Sequence, residues 1–357
     1  MDIKDKKVIV GLSGGVDSSV AAAILVEQGC RVTGVTMKTW GGGEWTGKGK
    51  SGCYGPDEEK DIEDARKVAA KLSIPFHVID LVDEYKNEVL DYFCREYLEG
   101  RTPNPCVYCN RQIKFGALLD KAAELGIDFD YFATGHYARV EQDAHGRYLL
   151  KRGRDSKKDQ SYFLYNLTQR QLARSFFPLG NWLKTELRKK FIDLDLGIGM
   201  KPESQNFVWG SYVSLFNQQP IPGPIMDKMG NILGEHKGIV YYTLGQRRKL
   251  GLASPESLYV IDIKPELNAV VVGDRVDLYK TDQVVKAVNW VAIPYLVGEC
   301  EVVAKIRSTH DGYNALITCL DDNRIRITYR EPQIAAARGQ AIVFYKGDIV
   351  LGGGIVE

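Results

Sequence analysis

The sequence predicts an α/β protein: a parallel sheet with helices on both faces, then a stretch of different texture, then a C-terminal antiparallel β-barrel. Three observations predict it. Strand-like and helix-like patterns alternate through the first half of the chain, as parallel sheets built from βαβ units require. One apolar run, Val8-Ile9-Val10-Gly11-Leu12, breaks in Ser13-Gly14-Gly15 and passes at once into a helical pattern. From about Val284 onward, short β-rich runs recur between Gly and Asp turns, the texture of a small barrel.

In order, residues 7–12 read as a strand, 18–28 as a helix, 31–37 as a strand, 62–72 as a helix and 76–81 as a strand. Residues 84–97 and 111–125 follow as helices and 131–134 as a short strand. Ligands of such sheets bind beyond the carboxyl ends of the strands. Residues 11–19, Met37 and Thr134-Gly135-His136 all fall at such ends. Two long loops interrupt the alternation, residues 40–59 with Cys53 and residues 100–110 with Thr102-Pro103-Asn104-Pro105-Cys106-Val107-Tyr108-Cys109-Asn110. Loops this long inside a domain are functional or mobile. The texture changes after about residue 200, and the expected boundaries are 1–205 for the α/β domain, 206–282 for the stretch between and 283–357 for the barrel.

The first strand–helix junction carries the clearest chemistry. Gly14 and Gly15 permit a tight turn and close backbone approach to a ligand. The N–H groups at the start of the new helix favour an anion. Asp17 adds a negative charge to that place, which makes sense if Mg²⁺ bridges its carboxylate and phosphate oxygens. The spacing is not that of a Walker loop. The run Ser13-Gly14-Gly15-Val16-Asp17-Ser18 instead resembles the PP-loop of ATP pyrophosphatases, which implies cleavage of ATP between its α and β phosphates and adenylation of a substrate. The plainer reading is a βα turn rich in small residues.

The bulk numbers bound the rest. A chain of 357 residues holds two or three domains. It has no apolar run near 20 residues, and Met-Asp-Ile-Lys-Asp-Lys-Lys has no apolar signal core, so no membrane partner and a cytoplasmic location are expected. A net charge of +1 argues neither for nor against nucleic acid. Basic groups do cluster, at Lys151, Arg152, Arg154, Lys157 and Lys158, at Arg188-Lys189-Lys190 and at Arg247-Arg248-Lys249. Each alone reads as a solvated face; three beside a nucleotide site favour RNA.

Seven cysteines, an odd count, argue against a disulfide framework. Cys30, Cys94, Cys300 and Cys319 lie in apolar surroundings and read as small core residues. Cys106-Val107-Tyr108-Cys109 fits a redox dithiol, half of a zinc site, half of an iron–sulfur site, or a coincidental pair. A thioredoxin-like motif should open a helix after a strand, whereas this one follows Pro-Asn-Pro in what reads as a loop.

Longer motifs then carry a resemblance. Thr102-Pro103-Asn104-Pro105, Cys109-Asn110, Lys114-Phe115, Ala133-Thr134-Gly135-His136-Tyr137-Ala138, Lys158-Asp159-Gln160-Ser161-Tyr162-Phe163-Leu164, Tyr242-Thr243-Leu244-Gly245-Gln246-Arg247 and Leu351-Gly352-Gly353-Gly354-Ile355 occur in order along the chain. Together they resemble the tRNA-specific 2-thiouridylases, the MnmA/TrmU family, which replace the 2-oxygen of the wobble uridine with sulfur; the resemblance implies a PP-loop domain, a small central domain over the stretch 206–282 and a C-terminal β-barrel. The resemblance implies that Gly11, Leu12, Ser13, Gly14, Gly15, Val16, Asp17 and Ser18 hold ATP, with Met37 and Gly135 near the nucleotide. It implies that Asn104, Pro105 and Cys106 line the flipped base and that Cys109 is catalytic. His136, Lys158, Asp159, Gln160, Arg307, Ser308 and Gln340 would touch tRNA.

Two positions depart from the pattern. The family commonly has Asp where this chain has Cys106, and a persulfide-carrying cysteine after an acidic–Ser pair; here Glu203-Ser204 is followed by Val208 at that place. The preferred reading of the sulfur source is a 4Fe–4S cluster on Cys53, Cys106 and Cys109, since thiolates hold such clusters. The rival is a persulfide relay within the C-x-x-C, and a sulfur donor, protein or sulfide, is expected as a partner. Adenylation would turn an inert carbonyl oxygen into a departing AMP, stabilised by Mg²⁺ and backbone N–H groups. The base would have to be extruded from its stack. His136 reads as ligand-facing or as ordinary hydrogen-bonded structure, and Trp40, Trp45 and Tyr54 as base-stacking or packing residues. Two other functions compete: a PP-loop amidoligase acting on a small molecule, and a non-catalytic RNA-binding protein.

Overall fold

The computed structural model describes residues 3–43, 52–200, 206–216, 219–321 and 323–357. Trp45 and the pair Glu203-Ser204 lie outside the described residues, as does the expected boundary at 205. The chain divides into two compact units, Met1–Val89 with Cys106–Ser211 and Asp348–Val350, and Leu90–Pro105 with Tyr212–Gly347 and Leu351–Glu357.

The first unit is the expected α/β domain. Its strands β1 (Lys7–Gly11), β2 (Arg31–Lys38), β4 (Phe76–Asp80), β5 (Tyr131–Ala133) and β8 (Ser175–Phe176) form a parallel sheet in the order β4-β2-β1-β5-β8. β1 is apolar throughout because helices cover both faces: Val8, Ile9 and Val10 are buried. Helix α1 (Val16–Glu27) buries Ser18 to Leu25 on all sides. Its Val20, Ala21 and Leu25 pack with Val8, Val10, Val32, Val68 of α2 (Glu58–Lys71) and Phe191 of a later helix. Helix α2 starts earlier than its apolar spacing indicated, because Glu58, Glu59 and Asp61 suit the positive end of a helix. A hairpin of β6 (Ala138–Gln142) and β7 (Tyr148–Arg152) belongs to this unit, and Ile349 pairs with Lys151 there.

Both long loops are shorter than expected. Within residues 40–59, β3 (Gly52–Tyr54) pairs in parallel with β9 (Asn206–Val208), so Cys53 sits on a short strand. Within residues 100–110, Pro105–Tyr108 is already helical. Proline needs no N–H donor and has its φ preset at a first helical position, so Pro105 starts the helix that the sequence placed after residue 110. The C-x-x-C therefore opens a helix. That helix continues through a π-helical stretch, Cys109–Ala117, into Leu118–Glu124.

In the second unit, β10 (Gly223–Met226), β11 (Ile232–His236), β12 (Tyr259–Lys264) and β13 (Ala269–Gly273) form a sheet ordered β11-β10-β13-β12. The expected barrel follows: β14 (Tyr279–Trp290), β15 (Glu299–Lys305), β16 (Tyr313–Asp321), β17 (Arg324–Ile334), β18 (Ala341–Lys346) and β19 (Ile349–Val356), ordered β14-β17-β16-β15-β18-β19 and closed by β14 against β19. Val302, Ile317, Ile327, Ile342 and Phe344 fill it. A separate aromatic cluster joins Phe93 and Tyr97 to Tyr212 and Phe216. Among the described residues no helix is long and apolar enough to cross a membrane.

Candidate active site

The loop after β1 is held by its own serines. Leu12 N–H donates to Val35 O at 2.8 Å, which keeps the loop's start in register with β2. Ser13 N–H donates to Ser18 Oγ at 3.1 Å, and Ser19 Oγ donates to Gly15 O at 2.8 Å. Gly14 has φ +66°, and a Cβ there would lie 2.3 Å from Asp61 O, so only glycine fits. Among the described residues no side chain caps α1, which leaves its first N–H groups to an anion. Met37 is half-buried near the carboxyl end of β2, two residues past the Val35 that pairs with Gly11.

Asp17, on the first turn of α1, is matched by a residue that sequence reading missed. Lys184 Nζ donates to Asp17 Oδ1 at 2.6 Å and to Oδ2 at 2.7 Å, and Tyr137 Oη–H donates to Oδ1 at 3.1 Å. Lys184 is only 8% exposed and begins the helix Lys184–Leu194. Its own backbone N–H donates to Asp155 Oδ2 at 2.9 Å. A lysine at a helix's positive end is unfavourable, and that was the signal available in the sequence: such a lysine needs an anionic partner. The carboxylate read as a magnesium ligand thus already holds an ammonium on both oxygens, and Asp17 does not fit a metal resident in the protein.

The cysteines form a second centre. Cys106 lies on Pro105–Tyr108, and Cys109 begins the π-helical stretch. Lys114 lies on the same π-helical stretch as Cys109, and its charge acts on that thiol. Cys53 is exposed, Cys106 half-buried and Cys109 buried. Burial first, then the neighbouring Cys53, pushes the Cys106 thiol up to about 12, against the opposing pull of Lys114. Burial pushes Cys109 up to about 11, again opposed by Lys114 and reinforced by Cys53. The buried phenol of Tyr85 is raised by burial and then by the fields of Cys109, Cys53 and Cys106. Cys53 thus acts electrostatically on Cys106 and Cys109, although it lies on a strand and they lie on a helix more than fifty residues later in the chain. Tyr54 stacks on Tyr85 with ring centroids 5.5 Å apart, which packs Cys53's strand beside the helix that carries Tyr85. Val208 is buried opposite Tyr54, so Cys53 faces the other side of that small sheet.

Among the described residues no three His, Cys, Asp or Glu side chains are gathered closely enough to hold a single metal ion. A cluster makes a different demand, because each of its irons takes one thiolate and the thiols stand farther apart. Three cysteines acting on one another electrostatically fit that demand in donor chemistry. Asn110, beside Cys109, donates from Nδ2 to Phe163 O at 3.0 Å, while its buried Oδ1 has no hydrogen-bond partner among the described residues.

Gly135 and His136 join the two centres. A Cβ on Gly135 would lie 2.7 Å from Ser18 N and 2.9 Å from Asp17 C, so this backbone presses against the anion loop. His136 Nδ1 bonds Thr134 Oγ1 at 2.7 Å, and its ring packs against Phe115 and Phe177. Burial, then the cation on Lys114, pulls its pKa down to about 3, so it is a neutral imidazole.

The residues assigned to tRNA divide. Asp159 is buried and accepts from Gly153 N–H and Ser161 N–H, both at 3.1 Å. Gln160 Oε1 accepts from Tyr137 N–H at 2.9 Å. Both hold the backbone around Tyr137, while Lys158 is half-buried beside them. In the second unit, Gln340 Nε2 donates to Pro103 O at 3.4 Å, Thr102 N–H donates to Arg338 O at 2.7 Å, and Arg101 forks onto Glu96 at 2.7 Å. Gln340 thus anchors the loop that presents half-buried Asn104 and buried Pro105. Arg307 is exposed and Ser308 half-buried at the turn after β15.

A glycine-turned anion loop at the carboxyl edge of a parallel sheet defines a HUP-class nucleotide domain, and the family model described as "tRNA methyl transferase HUP domain" matches residues 6–209. Models described as "tRNA methyl transferase PRC-barrel domain" and "Aminomethyltransferase beta-barrel domain" match residues 213–274 and 266–356. The chain is 46% identical over 359 residues to the tRNA-specific 2-thiouridylase MnmA 1 of Clostridium botulinum (strain Loch Maree), covering 99% of each. It is 45% identical to MnmA of Clostridium perfringens (strain 13), covering 99% of this chain and 98% of that protein, and 46% identical to MnmA 2 of Clostridium tetani over the whole of both. Among solved structures, a 4-thiouridine synthetase–RNA complex with bound ATP overlaps 54% of this chain and 41% of its own at 18% identity and a TM-score of 0.33. The chain belongs to the tRNA-specific 2-thiouridylase family.

Proposed function

We propose that this chain is a cytoplasmic, ATP-dependent tRNA-uridine 2-sulfurtransferase. One observation carries the reading: within one compact unit, Gly135 abuts the anion loop while the adjoining His136 packs on the helix that bears Cys109. An activating site and a sulfur site are thereby joined by two neighbouring residues. Full-length similarity to named 2-thiouridylases supports the same conclusion.

The chemistry follows from the residues. Gly11–Ser18, with Met37 and Gly135, would hold ATP. The uracil 2-oxygen attacks the α-phosphorus, and pyrophosphate leaves toward the N–H groups at the start of α1, which neutralise its charge. Sulfur then forms its bond to carbon 2, and AMP departs with the original oxygen. Asn104, Pro105 and Cys106 would receive the extruded base; Pro105, fixed in φ, limits the receiving loop's disorder. His136, Lys158, Asp159, Gln160, Arg307, Ser308 and Gln340 would contact tRNA directly or hold the backbone that does. The neutral His136 can donate or accept a hydrogen bond there without adding charge.

Cys53, Cys106 and Cys109 would hold a 4Fe–4S cluster, which when bound supplies an iron free to take hydrosulfide from a donor protein or from solution. Val208 stands where the family commonly carries its second cysteine, and Cys106 adds a thiol near Cys109, which favours this over a relay confined to Cys106 and Cys109. We read the functional segments as 1–205, 206–282 and 283–357.

Anaerobic incubation with ATP, sulfide and unmodified tRNA tests the reaction. AMP, pyrophosphate and 2-thiouridine should form in equal amounts by nucleoside mass spectrometry, and release of neither AMP nor pyrophosphate rejects the proposal. A brown protein absorbing near 400 nm is expected; a colourless, iron-free yet active protein, or a fully active Cys53→Ala, rejects the cluster.

A further inference from the structure

We propose that Lys184 is the built-in counter-cation of the nucleotide loop, a positioning residue that neutralises Asp17 and so lets the loop accept phosphates without a metal held by the protein. The inference rests on the reading that this loop binds ATP.

The geometry is specific. The ammonium meets both oxygens of Asp17 at 2.6 and 2.7 Å. Tyr137 fixes the same carboxylate through its hydroxyl at 3.1 Å and lies beneath the ammonium, 5.7 Å from ring centroid to Nζ. Lys184 cannot easily withdraw, since it is 8% exposed and its backbone is tied to Asp155. Its place at the start of a helix opposes the helix dipole, so the position is explained by the partner and not by local preference. Asp17 itself is on the first turn of α1, the end that also attracts phosphate. An uncompensated carboxylate there would repel the polyanion that the N–H groups invite. A cation shared across its two oxygens removes that conflict, and it does so before any ligand arrives.

Equilibrium dialysis of ATP, without tRNA and with either EDTA or millimolar Mg²⁺, tests this on the full chain. The wild type should bind ATP with affinities that differ by no more than about threefold between the two conditions. Lys184→Met should bind about tenfold or more weakly in EDTA. It should recover with Mg²⁺, because the metal can now take the vacated carboxylate. Lys184→Arg should keep most of the wild-type affinity. The charge-free double variant Asp17→Asn with Lys184→Met should regain affinity in EDTA, and thermal unfolding of each variant separates lost folding from lost binding. Unchanged binding by Lys184→Met, a wild type that itself needs Mg²⁺ by more than tenfold, or a folded double variant no better than Lys184→Met each overturns the inference. A wild type that binds no ATP in either condition instead defeats the ATP reading beneath it.

Discussion

The anion loop and the cysteine helix lie in one unit and solve opposite electrostatic problems. At the loop, the charged side chain has its partner in place: Asp17 is met by Lys184 and Tyr137. At the cysteine helix, burial holds the thiols of Cys106 and Cys109 at about 12 and about 11, so the nucleophilic form is scarce near neutrality even with Lys114 beside it. The first centre is complete without its ligand. The second would carry thiolates only on losing protons, as metal binding to thiols brings about. The difference teaches that ATP binding and sulfur handling should separate cleanly in variants.

Cys109→Ser gives the largest separation. Thiolation should fall by about a thousandfold or more, while ATP affinity by dialysis stays within about twofold of wild type. A parallel loss of ATP binding would mean that the two centres are not distinct.

Gly135→Ala attacks the joint between them. Its new methyl meets the backbone at Ser18 N and Asp17 C, which cannot yield as a side-chain tip can. ATP affinity should fall by about tenfold, with a stability cost of about 1–3 kcal/mol in urea unfolding. The accessibility of Cys53 to alkylation should be unchanged.

The effect that is smallest at neutral pH is a pH dependence. The His136 pKa is about 3 in the folded protein against about 6.5 unfolded. The unfolded chain therefore binds the proton more readily. Stability from neutral His136 is fully present above pH 6.5 and is lost as pH falls from 6.5 toward 3, with a slope of at most about 1.4 kcal/mol per pH unit. His136→Gln should flatten that part of the stability–pH curve, and identical slopes for both proteins would show that His136 does not carry it.

Much of this was legible in the chain. Periodicity located β1, α1, β2 and β4 to within a few residues, and the glycine-turned loop was visible because its chemistry is local. The antiparallel runs after residue 284 were visible for the same reason. What escaped was non-local or turned on the type of helix. Lys184 is 167 residues from Asp17, and nothing near either announces the pair except a lysine at the wrong end of a helix. Residues 111–125 read as one ordinary helix, and the π-helical winding of Cys109–Ala117 within and before it could not be read from pattern. The backbone groups that Asp159 and Gln160 satisfy were likewise not visible in the sequence.

The division of the chain also limits how it can be dissected. The second compact unit takes Leu90–Pro105 from the middle of the first half. A fragment ending at residue 211 would keep Phe93 and Tyr97 but lose the Tyr212 and Phe216 that cover them. Such a truncation would bare an aromatic face to water and favour aggregation over a soluble minimal catalyst. The unit of expression, and of any engineering that moves this activity elsewhere, is the whole polypeptide.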